Sequence, residues 1–222
     1  MKPWETIDKV RSEDGTELSL VRRGDEWVVR CDGKPLMSTR QHGSEEALAR
    51  LGLAQVVKPK KVFVGGLGLG FTARAALDLM PLDSRLIVGE FTPAIIEWNR
   101  KYLGAFARYP LDDARVEVRA IDAVEHIYRS TRVYDAILLD IDNGPSAMVH
   151  QANDRLYSAA GISACYAALI PGGTLAVWSA GPDAAYLKRL NKGGFDASAP
   201  VAPSRGDQGG VHHVVFVARR PQ

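Results

Sequence analysis

The chain has 222 residues, 46% of them hydrophobic and 24% charged, and a net charge of +2. That length suits one sizeable α/β domain with a small appendage, and the near-neutral charge leaves no footprint for nucleic acid or a polyanionic partner. No apolar run approaches the ~20 residues of a membrane span, Met1-Lys-Pro-Trp-Glu5 is no signal peptide, and Cys31 and Cys165 lack companion His or Cys spacing, so the expectation is a cytoplasmic protein with neither disulfide nor metal pair.

Residues 1–57 differ from the rest of the chain. Glu17-Leu-Ser-Leu-Val-Arg-Arg, Glu26-Trp-Val-Val-Arg-Cys and Lys34-Pro-Leu-Met-Ser-Thr alternate or cluster apolar residues, and Gly24-Asp25 and Asp32-Gly33 punctuate them as turns. This predicts a small antiparallel β-meander. A helix comes next from Ser44, read as its N-cap, with acids in the first turn. Pro59 marks the joint to a main domain over 58–222.

Lys61-Val-Phe-Val-Gly-Gly-Leu-Gly-Leu-Gly70 is a short buried strand running into a turn nearly free of side chains. Phe71 to Met80 is a helix, with Phe71, Ala75, Leu79 and Met80 near one face. Strand, turn and helix together converge backbone N–H groups and a helix N-terminus on one point, suited to a nucleotide-like ligand. Arg85-Leu-Ile-Val-Gly-Glu90 is the second strand, and Glu90 stands where a carboxylate can accept hydrogen bonds from both ribose hydroxyls. Counted from Gly66, the dinucleotide pattern G-x-G-x-x-G would end at Phe71. The tighter Gly66-x-Gly68-x-Gly70 points to a nucleoside without a pyrophosphate.

A βα rhythm then continues. Helix 94–103 starts beside Pro93, strand 114–121 ends at Asp122, and helix 123–130 is short. Tyr134 to Asp140 is a buried strand, 141–153 a polar loop, 156–169 a helix and 174–178 a strand. Helix 183–191 and a last strand over 211–218 close the chain. The pattern predicts a doubly wound, mainly parallel, seven-stranded sheet, Rossmann-like in form.

In such a sheet the ligand lies over the strand carboxyl ends, where Glu90, Asp122, Asp140 and Asp142 fall. Asp122, followed by Ala123, could bond an adenine amine or cap the next helix. Asp140 and Asp142 share a side if the strand continues, and there they could hold or deprotonate an ammonium-bearing substrate. Turn chemistry is the competing reading for Asp-Asn-Gly-Pro. His150 lies in the polar loop and Tyr157 opens the next helix, so both are candidates for the substrate side. His212 and His213, inside a strand, read as sheet residues, and Trp98 and Trp178 as core.

The segment from 57 to about 180 resembles the spermidine synthase family of aminopropyltransferases, a branch of the class I S-adenosylmethionine-dependent methyltransferase superfamily. The resemblance lies in Val62-Phe-Val-Gly-Gly-Leu-Gly-Leu-Gly70, Val88-Gly-Glu-Phe-Thr-Pro93, Ile121-Asp-Ala123, Tyr134-Asp-Ala-Ile-Leu-Leu-Asp-Ile-Asp-Asn-Gly-Pro145, Leu156-Tyr-Ser158 and Leu169-Ile-Pro-Gly-Gly-Thr-Leu-Ala-Val177. It implies a transferase in polyamine biosynthesis that uses decarboxylated S-adenosylmethionine, or S-adenosylmethionine itself, as co-substrate. By the same resemblance, Gly65, Gly66, Gly68 and Gly70 line the donor, Glu90 takes the ribose and Asp122 with Ala123 the adenine. Asp142, with Asp140 before it, would act on a small-molecule amine acceptor. No metal is implied, and a homodimer is.

Three departures stand out. The family has an acid for the donor's ammonium where Gly68 stands, a glutamine where Leu36 or a neighbour stands, and a catalytic loop one residue longer. An S-adenosylmethionine-dependent methyltransferase and a non-catalytic nucleoside-binding relative therefore stay open beside the aminopropyl reading.

Overall fold

The computed structural model describes residues 2–11, 15–141 and 154–222. The meander has one strand more than its turns announce. Strands β1 (Glu5–Arg11), β2 (Glu17–Arg23), β3 (Glu26–Cys31) and β4 (Lys34–Ser38) form an antiparallel sheet in chain order. Asp32 and Gly33 both take positive φ between β3 and β4, the mirror-image turn whose twist matches a hairpin. β1 carries little sequence signal because only Ile7 and Val10 are even half-buried, and a register shift between Thr6 and Asp8 breaks the alternation.

Helix α1 (Gly43–Leu53) begins one residue early. Its Gly43 N–H donates to the Ser204 carbonyl, and a Cβ there would come 2.2 Å from the Gly206 nitrogen. Only glycine lets the helix start against that loop. Ser44 is therefore not the N-cap. It sits inside the first turn, and its hydroxyl donates to Glu45 Oε2 at 2.6 Å. Farther along, a Cβ on Gly52 would strike Leu138 and Ala176, which shows how closely α1 lies on the main sheet.

That sheet is assembled from β5 (Lys61–Gly65), α2 (Phe71–Leu79), β6 (Arg85–Glu90), α3 (Pro93–Trp98), β7 (Val116–Ala120), α4 (Ala123–Tyr128) and β8 (Tyr134–Leu139). It continues with α5 (Asp154–Tyr157), α6 (Ala159–Ala168), β9 (Leu169–Ser179), α7 (Ala184–Lys192), β10 (Asp196–Ser198), β11 (Val201–Pro203) and β12 (His212–Arg219). The order is β10-β12-β9-β8-β5-β6-β7, with β11 also on β12. The five strands from β9 to β7 run parallel, as expected of a doubly wound sheet, and β12 joins them antiparallel. The count is eight, not seven. Strands β10 and β11 hold three residues each and succeed one another along the outer edge of β12, too short for any periodicity to mark them.

Side-chain alternation divides the core. Val62, Val64, Leu86, Val88, Ala136, Leu138, Ala176 and Val215 face α1, α2 and α3. Phe63, Ile87, Ile137, Leu139, Val177 and Phe216 face α4, α6 and α7. Leu79, expected on the buried face of its helix, is 50% exposed, while Ala73, Ala76 and Leu77 carry the packing. The expected helix over 156–169 breaks at Ser158, whose Oγ accepts the Gly161 N–H and restarts it as α6. Strand order reverses beside β5, which has β6 on one side and β8 on the other. The crevice at that switch point, over the carboxyl ends, is where this class of sheet binds ligands.

Candidate active site

The crevice floor is the turn after β5. Gly66 takes φ +88, its N–H donates to the Gly89 carbonyl at 2.8 Å, and a Cβ on it would lie 2.1 Å from the Asp140 carbonyl oxygen. With Asp140 N–H donating to the Gly65 carbonyl at 2.8 Å, the turn is clamped to the end of β8. Asn99, in the π-helical turn Asn99–Leu103 that continues α3, clamps the other side by donating to the Gly68 carbonyl at 2.8 Å. Gly68 has φ +51, and Met37 of β4 reaches over it: a Cβ at 68 would meet the Met37 sulfur at 3.1 Å. A thioether from the meander thus faces the position where an acid would stand in the family.

Glu90 ends β6, buried, with Oε2 accepting from Leu67 N–H at 2.9 Å and Oε1 from Thr92 N–H at 2.8 Å. It ties the glycine turn to the start of α3. Burial pushes its carboxyl pKa up, against those backbone donors, and a carboxylate so engaged still has lone pairs to offer. Asp122 caps α4, its Oδ1 accepting from Val124 N–H at 2.7 Å, with Ala123 buried behind it. Both readings of Asp122 began from this position, and the capping bond is present.

Asp140 comes directly after β8 on the face toward α1 and α2, in step with Ala136 and Leu138. Its Oδ2 accepts from the Thr72 hydroxyl at 2.9 Å. The Thr72 hydroxyl also lies 3.3 Å from the Glu45 carbonyl, which brings the first turn of α1 to the same spot. Shielding from water raises the Asp140 pKa to about 6, and the Glu90 charge adds to the rise. The Glu45 carboxyl is pushed up to about 7, first by burial and then by the Asp140 charge. Among the described residues, no Lys, Arg or His forms an ion pair with Glu45, Glu90 or Asp140. Three carboxylates therefore line one crevice uncompensated, an arrangement that favours a cationic occupant.

The structure brings Gly65, Gly66, Gly68, Gly70, Glu90 and Asp140 together, with Asp122 one strand farther out. Asp142 and His150 lie outside the described residues. Tyr157 packs its ring edge-on against Tyr186, 5.7 Å between centroids, in the cluster on the other face of the sheet. His126 is also on that face, stacked on Phe63 and 2.6 Å from the Tyr134 hydroxyl, with burial lowering its pKa. Trp98 is core, its indole N–H bonded to Asp8 at 2.8 Å. Burial raises the Cys165 thiol to about 12, which leaves it inert. Glu45, Thr72 and Asn99 belong to no motif in the sequence. Glu45 reads there only as a favourable acid at a helix start, in a helix assigned with the meander to residues 1–57 and apart from the turn. No helix among the described residues is long and apolar enough to cross a membrane, and no cluster there is arranged to hold a metal ion.

The family model for the spermine/spermidine synthase domain matches residues 41–183, more than half of the chain. The chain belongs to the spermine/spermidine synthase family. Similar members include the polyamine aminopropyltransferase of Oceanobacillus iheyensis, 28% identical over 78% of this chain and 34% of that protein. The Saccharolobus solfataricus polyamine aminopropyltransferase is 29% identical over 65% of this chain and 51% of its own length. The chain thus spans about a third and a half of these two relatives. A spermidine synthase solved in complex with the transition state analogue AdoDATO superposes with a TM-score of 0.80 at 23% identity, covering 97% of this chain and 73% of that one. The Thermotoga maritima spermidine synthase gives a TM-score of 0.75 at 21% identity over 97% of this chain and 72% of that one. Both share the fold, including the small sheet that precedes the family core.

Proposed function

We propose that this chain is a spermidine synthase-like transferase that moves an aminopropyl group from decarboxylated S-adenosylmethionine to a small-molecule amine. The observation that carries this reading is the set of three carboxylates, Glu45, Glu90 and Asp140, around a glycine turn with no cation of the described chain to answer them. The decarboxylated donor brings two positive charges, a sulfonium and an ammonium, to that crevice. Glu90 takes the ribose hydroxyls, Asp122 and Ala123 stand toward the adenine, and Gly65, Gly66, Gly68 and Gly70 let the nucleoside lie against bare backbone. The acceptor nitrogen attacks the aminopropyl carbon, forming C–N as C–S breaks. Sulfur leaves as the neutral thioether of methylthioadenosine, and the amine's proton passes to a carboxylate. Asp140 orients the amine in this scheme, and Asp142 is its partner base.

One observation favours methyl transfer instead: Gly68, the place where the resemblance implies an acid for the donor's ammonium, is faced by the Met37 thioether and not by a carboxylate. Calorimetric titration with both donors decides. The decarboxylated donor is expected to bind at least tenfold more tightly, about 1.4 kcal/mol, and the reverse order would defeat the aminopropyl reading. In the same titrations Gly68→Asp should tighten the decarboxylated donor further. Aspartate tolerates this left-handed φ, and the flexible Met37 tip can yield a few tenths of an ångström.

The proposal includes a homodimer joined through the meander, whose short outer strands offer unpaired edges. Sedimentation at high concentration is expected to show twice the chain mass, and a monomer throughout would remove that part.

A further inference from the structure

Beside Asp140, on the same face of the sheet, β9 and β12 carry two polar atoms that are left over. Leu139 pairs with Val177, so Trp178 is the residue beside Asp140 on the next strand, and it shares a face with Ala176 as Asp140 does with Leu138. His213 comes next on β12, in step with Val215 and Val217 on that same face. The indole and imidazole lie 4.7 Å apart between centroids. Trp178 Nε1 and His213 Nδ1 are both buried without a hydrogen-bond partner among the described residues. Orphans of this kind cost about 1–3 kcal/mol each unless something bonds them, and two in contact at the edge of a ligand crevice point to an occupant.

The chemistry of the pair defines that occupant. An indole N–H can only donate. Burial favours the neutral imidazole, and in the tautomer that carries its hydrogen on Nε2 the unpartnered Nδ1 holds a lone pair that accepts. A hydroxyl satisfies both, taking the indole hydrogen and giving its own. A second ammonium does not: it cannot accept from Trp178, and no carboxylate among the described residues forms an ion pair with His213 to balance it.

Building on the aminopropyl reading, we propose that Trp178 and His213 form the far end of the acceptor site and select a primary amine with a neutral hydroxyl-bearing tail in preference to a diamine. The reacting nitrogen stands at Asp140, the methylenes cross the Trp178 indole, and the hydroxyl reaches His213. Two strand spacings across the sheet, with the two-residue offset from Val215 to His213 along β12, put the ends about 12 Å apart, and hydrogen bonds at both leave room for a linker of about four carbons.

The test is calorimetric titration of the full chain with aminobutanol and with diaminobutane, each with and without methylthioadenosine. Aminobutanol is expected to bind at least tenfold more tightly, and Trp178→Phe and His213→Phe should each reduce that preference severalfold. Equal or tighter binding of the diamine overturns the proposal, using wild type alone if a variant fails to fold. So does a preference that both variants keep, or no acceptor binding at all, which would leave the two orphaned atoms to an ordered water. Absence of methylthioadenosine binding with the amino-alcohol preference intact would instead remove the donor reading and leave this end of the site standing.

Discussion

Gly66→Ala is expected to destabilise the protein by roughly 3–5 kcal/mol, from left-handed backbone strain plus an overpacked contact, and to abolish nucleoside binding. The added methyl has nowhere to go. At φ +88 it would point at the Asp140 carbonyl from 2.1 Å, and that carbonyl belongs to backbone held by the bond from Asp140 N–H to Gly65. Relief requires moving the turn off β8, which also pulls Leu67 N–H away from Glu90. One methyl therefore disturbs the fold and the proposed ribose site together. For a domain whose total stability is on the order of 5–15 kcal/mol, the loss is large. Urea unfolding measures it, with a nucleoside titration at low temperature on whatever fraction stays folded. A cost under about 1 kcal/mol would show that turn and strand end are free to separate and are not clamped together.

That clamp was partly legible in the sequence because its parts are local. Val62 to Val64 signal a buried strand by their own composition, the glycines signal the turn, and Glu90 falls one strand later at a fixed interval. Glu45 was not legible. It reaches Asp140 only because α1 crosses β8 and β9 at Gly52 and starts against the loop at Gly206, contacts made between distant parts of the chain. The same distinction explains the remaining differences. Ser44 is a good cap by residue type, but the loop that presses on Gly43 decides where the helix begins. Strands β10 and β11 exist because β12 offers an edge, not because three residues carry a pattern. Trp178 and His213 read separately as core and sheet, and pairing across β9 and β12 makes them neighbours.

Asp140→Asn is expected to stabilise the ligand-free protein at pH 8 while cutting turnover at least about a hundredfold, the scale of losing the group that orients the attacking amine. The direction of the shift sets the pH dependence. Asp140 titrates near 3.8 when unperturbed and near 6 in the fold, so between those values the folded state holds the proton that the unfolded chain has released. Stability therefore falls as pH rises from about 4 to about 6 and stays reduced above it. Glu45, moved from 4.5 to about 7, extends the decline toward neutrality. Asparagine keeps the shape and an oxygen for the Thr72 hydroxyl but removes the charge repelled by its neighbours. The variant should match wild type near pH 4 and exceed it at pH 8 by about 1–3 kcal/mol, read as melting temperature across that range. A cationic donor acts in the opposite sense on wild type: it favours the ionised carboxylates, so its binding should strengthen from pH 5 to pH 8 and release protons to the buffer. A variant equally less stable at every pH would mean that Asp140 is an ordinary structural acid, and the case for a cation in this crevice would lose its electrostatic basis.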